Sequence, residues 1–107
     1  MQNTNKIRLY TTPTYIFTVE GIDLSEADVY VTFKQNDTIL TFNPTATYAD
    51  NVSTMEVAMT QAETGRLKPF PLVQVQINWM LNGDRNATNV EYIIPNQNLI
   101  DEVITGE

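Results

Sequence analysis

Apolar and polar residues alternate with a period of two through most of this sequence. The alternation is clearest where Val73, Val75, Ile77 and Trp79 interleave with Gln74, Gln76, Asn78 and Met80. Successive side chains of a strand point to opposite faces, so this spacing predicts a long strand with one apolar and one mostly polar face. Asn82-Gly83 breaks the run with a pair that tolerates the positive φ angles of a tight hairpin turn. Thr88, Val90, Tyr92 and Ile94 then resume on one face of a returning strand.

The same reading extends to the rest of the chain. Tyr15, Phe17 and Val19 alternate with Ile16, Thr18 and Glu20 and end at Gly21, which predicts a strand followed by a turn. Residues 22–27 form a connecting loop or a single helical turn, with Ile22 and Leu24 tucked under the sheet. Val29, Val31 and Phe33 oppose Tyr30, Thr32 and Lys34 on a second strand, 28–35, which Asn36-Asp37 turns back into a third, 38–42. Asn43-Pro44 stops that strand, because proline brings no amide to a continuing ladder. Residues 45–51 read as a polar connection. A fourth strand places Met55, Val57 and Met59 on one face and Thr54, Glu56 and Ala58 on the other. Thr60-Gln61-Ala62-Glu63 matches a capping box, and Gly65 stands where a short helix takes its left-handed stop. Leu67-Lys68-Pro69-Phe70-Pro71 reads as extended chain, since both prolines disfavour helix at the residue before them.

Short strands, many turns and no repeated βαβ unit predict an all-β fold, an antiparallel sandwich of about seven strands with one helical turn near 60–65. The expected core is Tyr15, Phe17, Val19, Val29, Val31, Phe33, Met55, Val57, Met59, Val73, Val75, Ile77, Trp79, Val90, Tyr92 and Ile94. The 107 residues suit a single domain, 1–107, able to bury roughly 65% of the surface of its unfolded chain. Residues 1–12, with the patch Ile7-Arg8-Leu9-Tyr10, are expected to be an arm or an edge strand. Residues 96–107 form a tail in which Leu99, Ile100, Val103 and Ile104 are spaced for a helical turn and a strand equally well.

Composition narrows the chemistry. Thirteen acidic against six basic side chains give a net charge of −7, with the basic residues scattered, so neither nucleic acid nor a membrane surface is an expected partner. The chain contains no histidine and no cysteine. The commonest general base, the usual zinc ligands and the most reactive nucleophile are therefore missing together. Asp50 and Asp84 are the carboxylates considered for a glycosidase-type pair, and Asp50-Asn51 and Asn82-Gly83-Asp84 the loops considered for calcium. Solvated charge and turn formation account for both more simply. Gly21, Gly65, Gly83 and Gly106 are too far apart for a phosphate-binding loop. The sequons at Asn36, Asn51 and Asn86 read as turn and strand residues, because no signal-peptide-like run precedes them. The expectation is no catalytic residue, no metal site and no cofactor.

Ile16, Tyr30, Met80 and Ile93 alternate out of phase with the expected core. Scattered apolar side chains are normal on any surface, but convergence on one face marks a protein contact, so these four are the candidate interface residues. The segments Thr-Pro-Thr-Tyr-Ile-Phe-Thr-Val, Ile-Asp-Leu-Ser-Glu-Ala-Asp-Val-Tyr-Val-Thr-Phe-Lys-Gln, Met59 to Thr64 and Val-Gln-Val-Gln-Ile-Asn-Trp-x-x-Asn-Gly resemble small proteins of phages and prophages of gut Firmicutes. They are similar to the amino-terminal domain of siphophage baseplate upper proteins, across residues 12 to about 95. The resemblance implies an immunoglobulin-like sandwich and a non-enzymatic virion module of the tail or baseplate. Such a module is made in the bacterial cytoplasm and docks on other phage structural proteins or on itself as a homo-oligomer. Baseplate upper proteins continue into segments that anchor a receptor-binding protein, and residues 1–107 contain none. The competing expectation is a carbohydrate-binding sandwich at a cell or virion surface, using Tyr10, Tyr30, Tyr48 or Trp79 as a platform.

Overall fold

A computed structural model describes residues 6–96 and residue 104. Among these residues nine strands and one short helix follow in the order β1 Lys6–Arg8, β2 Thr14–Glu20, β3 Asp28–Gln35, β4 Thr38–Phe42, β5 Thr47–Ala49, β6 Val52–Ala58, α1 Gln61–Gly65, β7 Val73–Leu81, β8 Asp84–Ala87 and β9 Glu91–Asn96. Two sheets form. One runs β1-β9-β7-β3-β4, with β8 added beside β7, and the other runs β2-β6-β5. With β9, β7, β3 and β4 in the places of strands G, F, C and C′, and β2, β6 and β5 in those of B, E and D, this is the strand order of an immunoglobulin-like sandwich. The strand ladders are antiparallel except for β1, which runs parallel to β9 with Ile7 opposite Pro95.

The period of two is realised where it was strongest. Val29, Val31, Phe33, Met55, Val57, Met59, Val73, Val75, Ile77 and Trp79 are all buried. Gln74 is exposed and Gln76 half-buried. Tyr15, Phe17 and Val19 on β2 are half-buried and close the core from the smaller sheet. Phe33 sits at the centre of an aromatic cluster across the two layers, its ring 5.9 Å from Tyr15, 6.1 Å from Phe17 and 5.8 Å from Phe42. Ile7, Leu9, Leu24, Leu40, Ala46, Leu67 and Ile93 complete the interior.

Three local departures have physical causes. First, the strand returning from the Asn82-Gly83 turn is not continuous, and its inward face is not Val90, Tyr92 and Ile94. Those three are 41%, 53% and 46% exposed, whereas Ile93 is 2% exposed. The ladder begins with Leu81 opposite Asp84 and Asn78 opposite Ala87, but resumes with Val75 opposite Glu91 and Val73 opposite Ile93. One extra residue has entered between Thr88 and Glu91, a β-bulge that exchanges the two faces of everything after it. Thr88 holds the irregularity together. Its amide donates to the Ile77 carbonyl at 2.9 Å, and its Oγ1 accepts the Ile77 amide at 3.1 Å and donates to the Asn89 carbonyl at 3.0 Å. Its carbonyl accepts from Gln76 Nε2 at 2.9 Å.

Second, residues 45–51 are not only a connection. Thr47–Ala49 pairs with β6 through a two-residue turn in which Asp50 and Asn51 both have positive φ, 53° and 66°. Third, β9 continues through Pro95, which lies past the last β7 partner and so has no β7 ladder bond to forgo.

The capping box at α1 forms, with Thr60 Oγ1 accepting the Glu63 amide and Glu63 Oε1 accepting the Thr60 amide. Gly65 does not provide a left-handed stop, since the helix ends at Arg66 in the right-handed region. Its requirement is steric, because a Cβ there would lie 2.4 Å from Cε1 of Tyr10. Buried polar side chains tie the loops to the sandwich. Gln35 donates to the carbonyls of Lys68 and Pro71 and accepts the Lys68 amide. Ser53 donates to the Ile22 carbonyl and accepts the Leu24 amide. Gln61 brackets Ile104, accepting its amide at 2.7 Å and donating to its carbonyl at 3.2 Å. The remaining tail positions considered above, Leu99, Ile100 and Val103, lie outside the described residues.

Candidate functional site

The outer face of the larger sheet carries a shallow groove of about 390 Å³. Tyr30 and Thr32 of β3, Thr41 of β4, Asn78, Trp79 and Met80 of β7 and Arg85 of β8 line it. Its concavity follows from the registers. Tyr30 lies opposite Asn78, and Asn78 opposite Ala87, whose methyl fills little space. On the other side β4 ends at Phe42, so Tyr30 has no neighbour on that strand. A large ring thus stands between a small side chain and the end of a strand.

Polar groups converge on the same hollow. Arg85 Nη2 donates to Asn78 Oδ1 at 3.4 Å, and the hydroxyls of Thr32 and Thr41 approach to 3.5 Å. No carboxylate is among the lining residues. The arrangement offers a ring face, a thioether, two hydroxyls, an amide and a guanidinium, groups that stack and hydrogen-bond.

The candidate interface residues divide. Tyr30 and Met80 come together in the groove, 40% and 43% exposed. Ile16 is exposed on β2, in the other sheet, and does not join them. Ile93 is a correction, because the bulge turns it into the core. Ile39, Tyr92 and Ile94 belong to the same outer face and are exposed there, although the sequence pattern nominated none of them. Lys34 opposite Ile39 was the available signal for the first, since residues that face each other across a ladder share a face, whereas Tyr92 comes opposite Gln74 only because of the bulge.

The aromatic platform residues also separate. Trp79 is 8% exposed, and its Nε1 is buried without a partner among the described residues. Tyr10 packs at Gly65, and Tyr48 stands on β5 with its hydroxyl donating to Asn51 Oδ1 at 3.2 Å. Asp50 and Asp84 occupy or flank the turns of two hairpins in different sheets, and neither lines the groove. Among the described residues no cluster of three or more histidine, cysteine or acidic side chains gathers to hold a metal. No described helix is long and apolar enough to cross a membrane.

Among the described residues two titrations are shifted, both outside the groove. Burial raises the Tyr15 hydroxyl from 10.0 to about 12. Asp23 is held below its ordinary value by the hydroxyl of Ser25 and then by the Ser25 amide, which donate to Oδ1 at 2.6 and 2.9 Å.

No family model matches the chain, and no curated protein matches it. The geometry of the outer face therefore carries the functional argument.

Proposed function

We propose that this protein is a non-enzymatic structural module of a phage or prophage virion, in the tail or baseplate, that works through protein contacts on the outer face of its larger sheet. One observation carries the reading. A solvent-facing antiparallel surface is ordinarily polar, yet Tyr30, Ile39, Met80, Tyr92 and Ile94 leave five large apolar side chains there, each between 40% and 53% exposed. Thr32, Gln74, Gln76 and Asn78 lie among them and supply the hydrogen-bonding groups that protein interfaces interleave with apolar anchors. The similarity to baseplate upper proteins over residues 12 to about 95 supports the virion setting.

Co-expression with the proteins encoded by the flanking genes and with phage tail proteins, followed by affinity capture and native mass spectrometry, tests the reading. Capture of a tail protein, lost on Tyr30→Ala with Tyr92→Ala, is the expected result. Failure to capture any of them, or capture untouched by the double substitution, overturns it.

The groove favours one alternative, a carbohydrate-binding module. Tyr30 supplies a stacking ring, and Asn78 and Arg85 supply polar groups beside it. Binding on a glycan array that disappears with Tyr30→Ala would select that reading over the first.

A further inference from the structure

We propose that two copies of this chain pair through β4 about a two-fold axis at Leu40, joining their larger sheets into one. This rests on the reading above and adds the chain itself as a partner, at the β4 edge of the same sheet.

The backbone dictates the register. Gln35 and Thr38 flank a two-residue turn and form a hydrogen-bonded pair, and such pairs alternate along an antiparallel ladder. Thr38, Leu40 and Phe42 therefore direct their amides and carbonyls to β3. Ile39 and Thr41 direct theirs away from it, to an edge on which no described strand pairs. The 3.5 Å approach of the Thr32 and Thr41 hydroxyls fits this assignment, because side chains come closest at the positions without mutual backbone bonds. When a second β4 approaches antiparallel, Ile39 meets the second copy's Thr41 and Thr41 meets its Ile39. Four backbone hydrogen bonds form, Leu40 faces Leu40 across the axis, and every apolar side chain keeps its own face.

Charge selects this edge over the others. The strand Thr-Ile-Leu-Thr-Phe contains no charged residue, no proline and no bulge, the devices that ordinarily block edge pairing. The outermost β1 and β5 have three residues each, and β1 ends in the exposed Arg8. Strand β2 is longer, but its outer face carries Glu20, with Glu56 opposite Ile16, and no basic residue lies on the paired stretch of β6. Two β2 edges would bring four carboxylates together in a molecule of net charge −7. The sheet that β4 borders carries Lys34 on β3 and Arg85 on β8 as well as Asp28. In the paired form Ile39 of the second copy lies next to Thr41 and walls the open side of the Tyr30 groove.

Sedimentation equilibrium reads the mass against the 12.1 kDa chain. The expected result is twice that mass at tens of micromolar, falling to the single chain for Thr41→Pro, which removes an outward amide, and for Ile39→Lys. Thr18→Lys on β2 should leave the pair intact. Because the chain has no cysteine, Leu40→Cys reports on the axis alone and should cross-link under mild oxidation, while Thr18→Cys should not. A single-chain mass at every concentration, or a pair that survives both β4 substitutions, overturns the proposal. Tyr30→Ala with Tyr92→Ala separates the two ideas, since it leaves β4 unaltered and should abolish tail-protein capture while the doubled mass persists.

Discussion

At the scale of single residues, stability rests on side chains that substitute for backbone in holding loops. Gln35 is 3% exposed and satisfies one amide and two carbonyls of the segment leading into β7. Replacing it with methionine keeps much of the volume and strands those groups, so Gln35→Met should lower stability by about 1–3 kcal/mol in urea unfolding. Gly65→Ala should cost about 1–3 kcal/mol through overpacking against Tyr10. In a Tyr10→Ala background that cost should largely vanish, and a double-mutant cycle measures the difference. Neither role was legible beforehand. A lone glutamine at the end of a strand reads as solvent-facing, and Gly65 reads as a helix stop because its real constraint comes from a ring 55 positions earlier in the chain. Non-local contacts of this kind leave no periodic trace.

At the scale of elements, faces were legible wherever a strand stayed regular and were lost where one residue intruded. Strands β3, β6 and β7 present the predicted inward sets because nothing interrupts their alternation. The returning strand was read in the phase set by the Asn82-Gly83 turn, which holds as far as Thr88 and is then reversed. Thr88→Val preserves shape but removes the oxygen that accepts the Ile77 amide, and should cost about 1–3 kcal/mol in the same unfolding assay. Amide exchange should quicken first at Ile77. The short β5 escaped notice because three residues carry too little alternation to register. Asp50-Asn51, two residue types that accept positive φ, was its only signature. The candidate site suffered accordingly. Tyr30 and Met80, on regular strands, were found, while Tyr92 and Ile94, beyond the bulge, were assigned to the interior.

At the scale of the whole molecule, two sheets meet through the Tyr15, Phe17, Phe33 and Phe42 rings, and burial of the Tyr15 hydroxyl in this layer contributes a pH sensitivity in alkali. Folding raises the Tyr15 hydroxyl from 10.0 to about 12, so the protonated form is favoured in the native state. Its contribution is fully present below pH 10 and is lost as pH rises through about 12. The urea midpoint should therefore fall between pH 9 and 11 more steeply for the native chain than for Tyr15→Phe, and equal slopes would assign the loss to other groups. Partial exposure screens the effect, so the difference between the slopes should be modest. The class of fold was legible at this scale because a period of two recurs in every long segment, whereas the pairing of β1 with β9 depends on which sheet edge lies open and no local spacing encodes it. The bulge between Thr88 and Glu91 has an evolutionary corollary. Gain or loss of one codon there would trade Tyr92 and Ile94 for Ile93 at the outer surface while leaving the rest of the amino-acid inventory almost unchanged, so a lineage could revise what this face presents to solvent in a single mutational step.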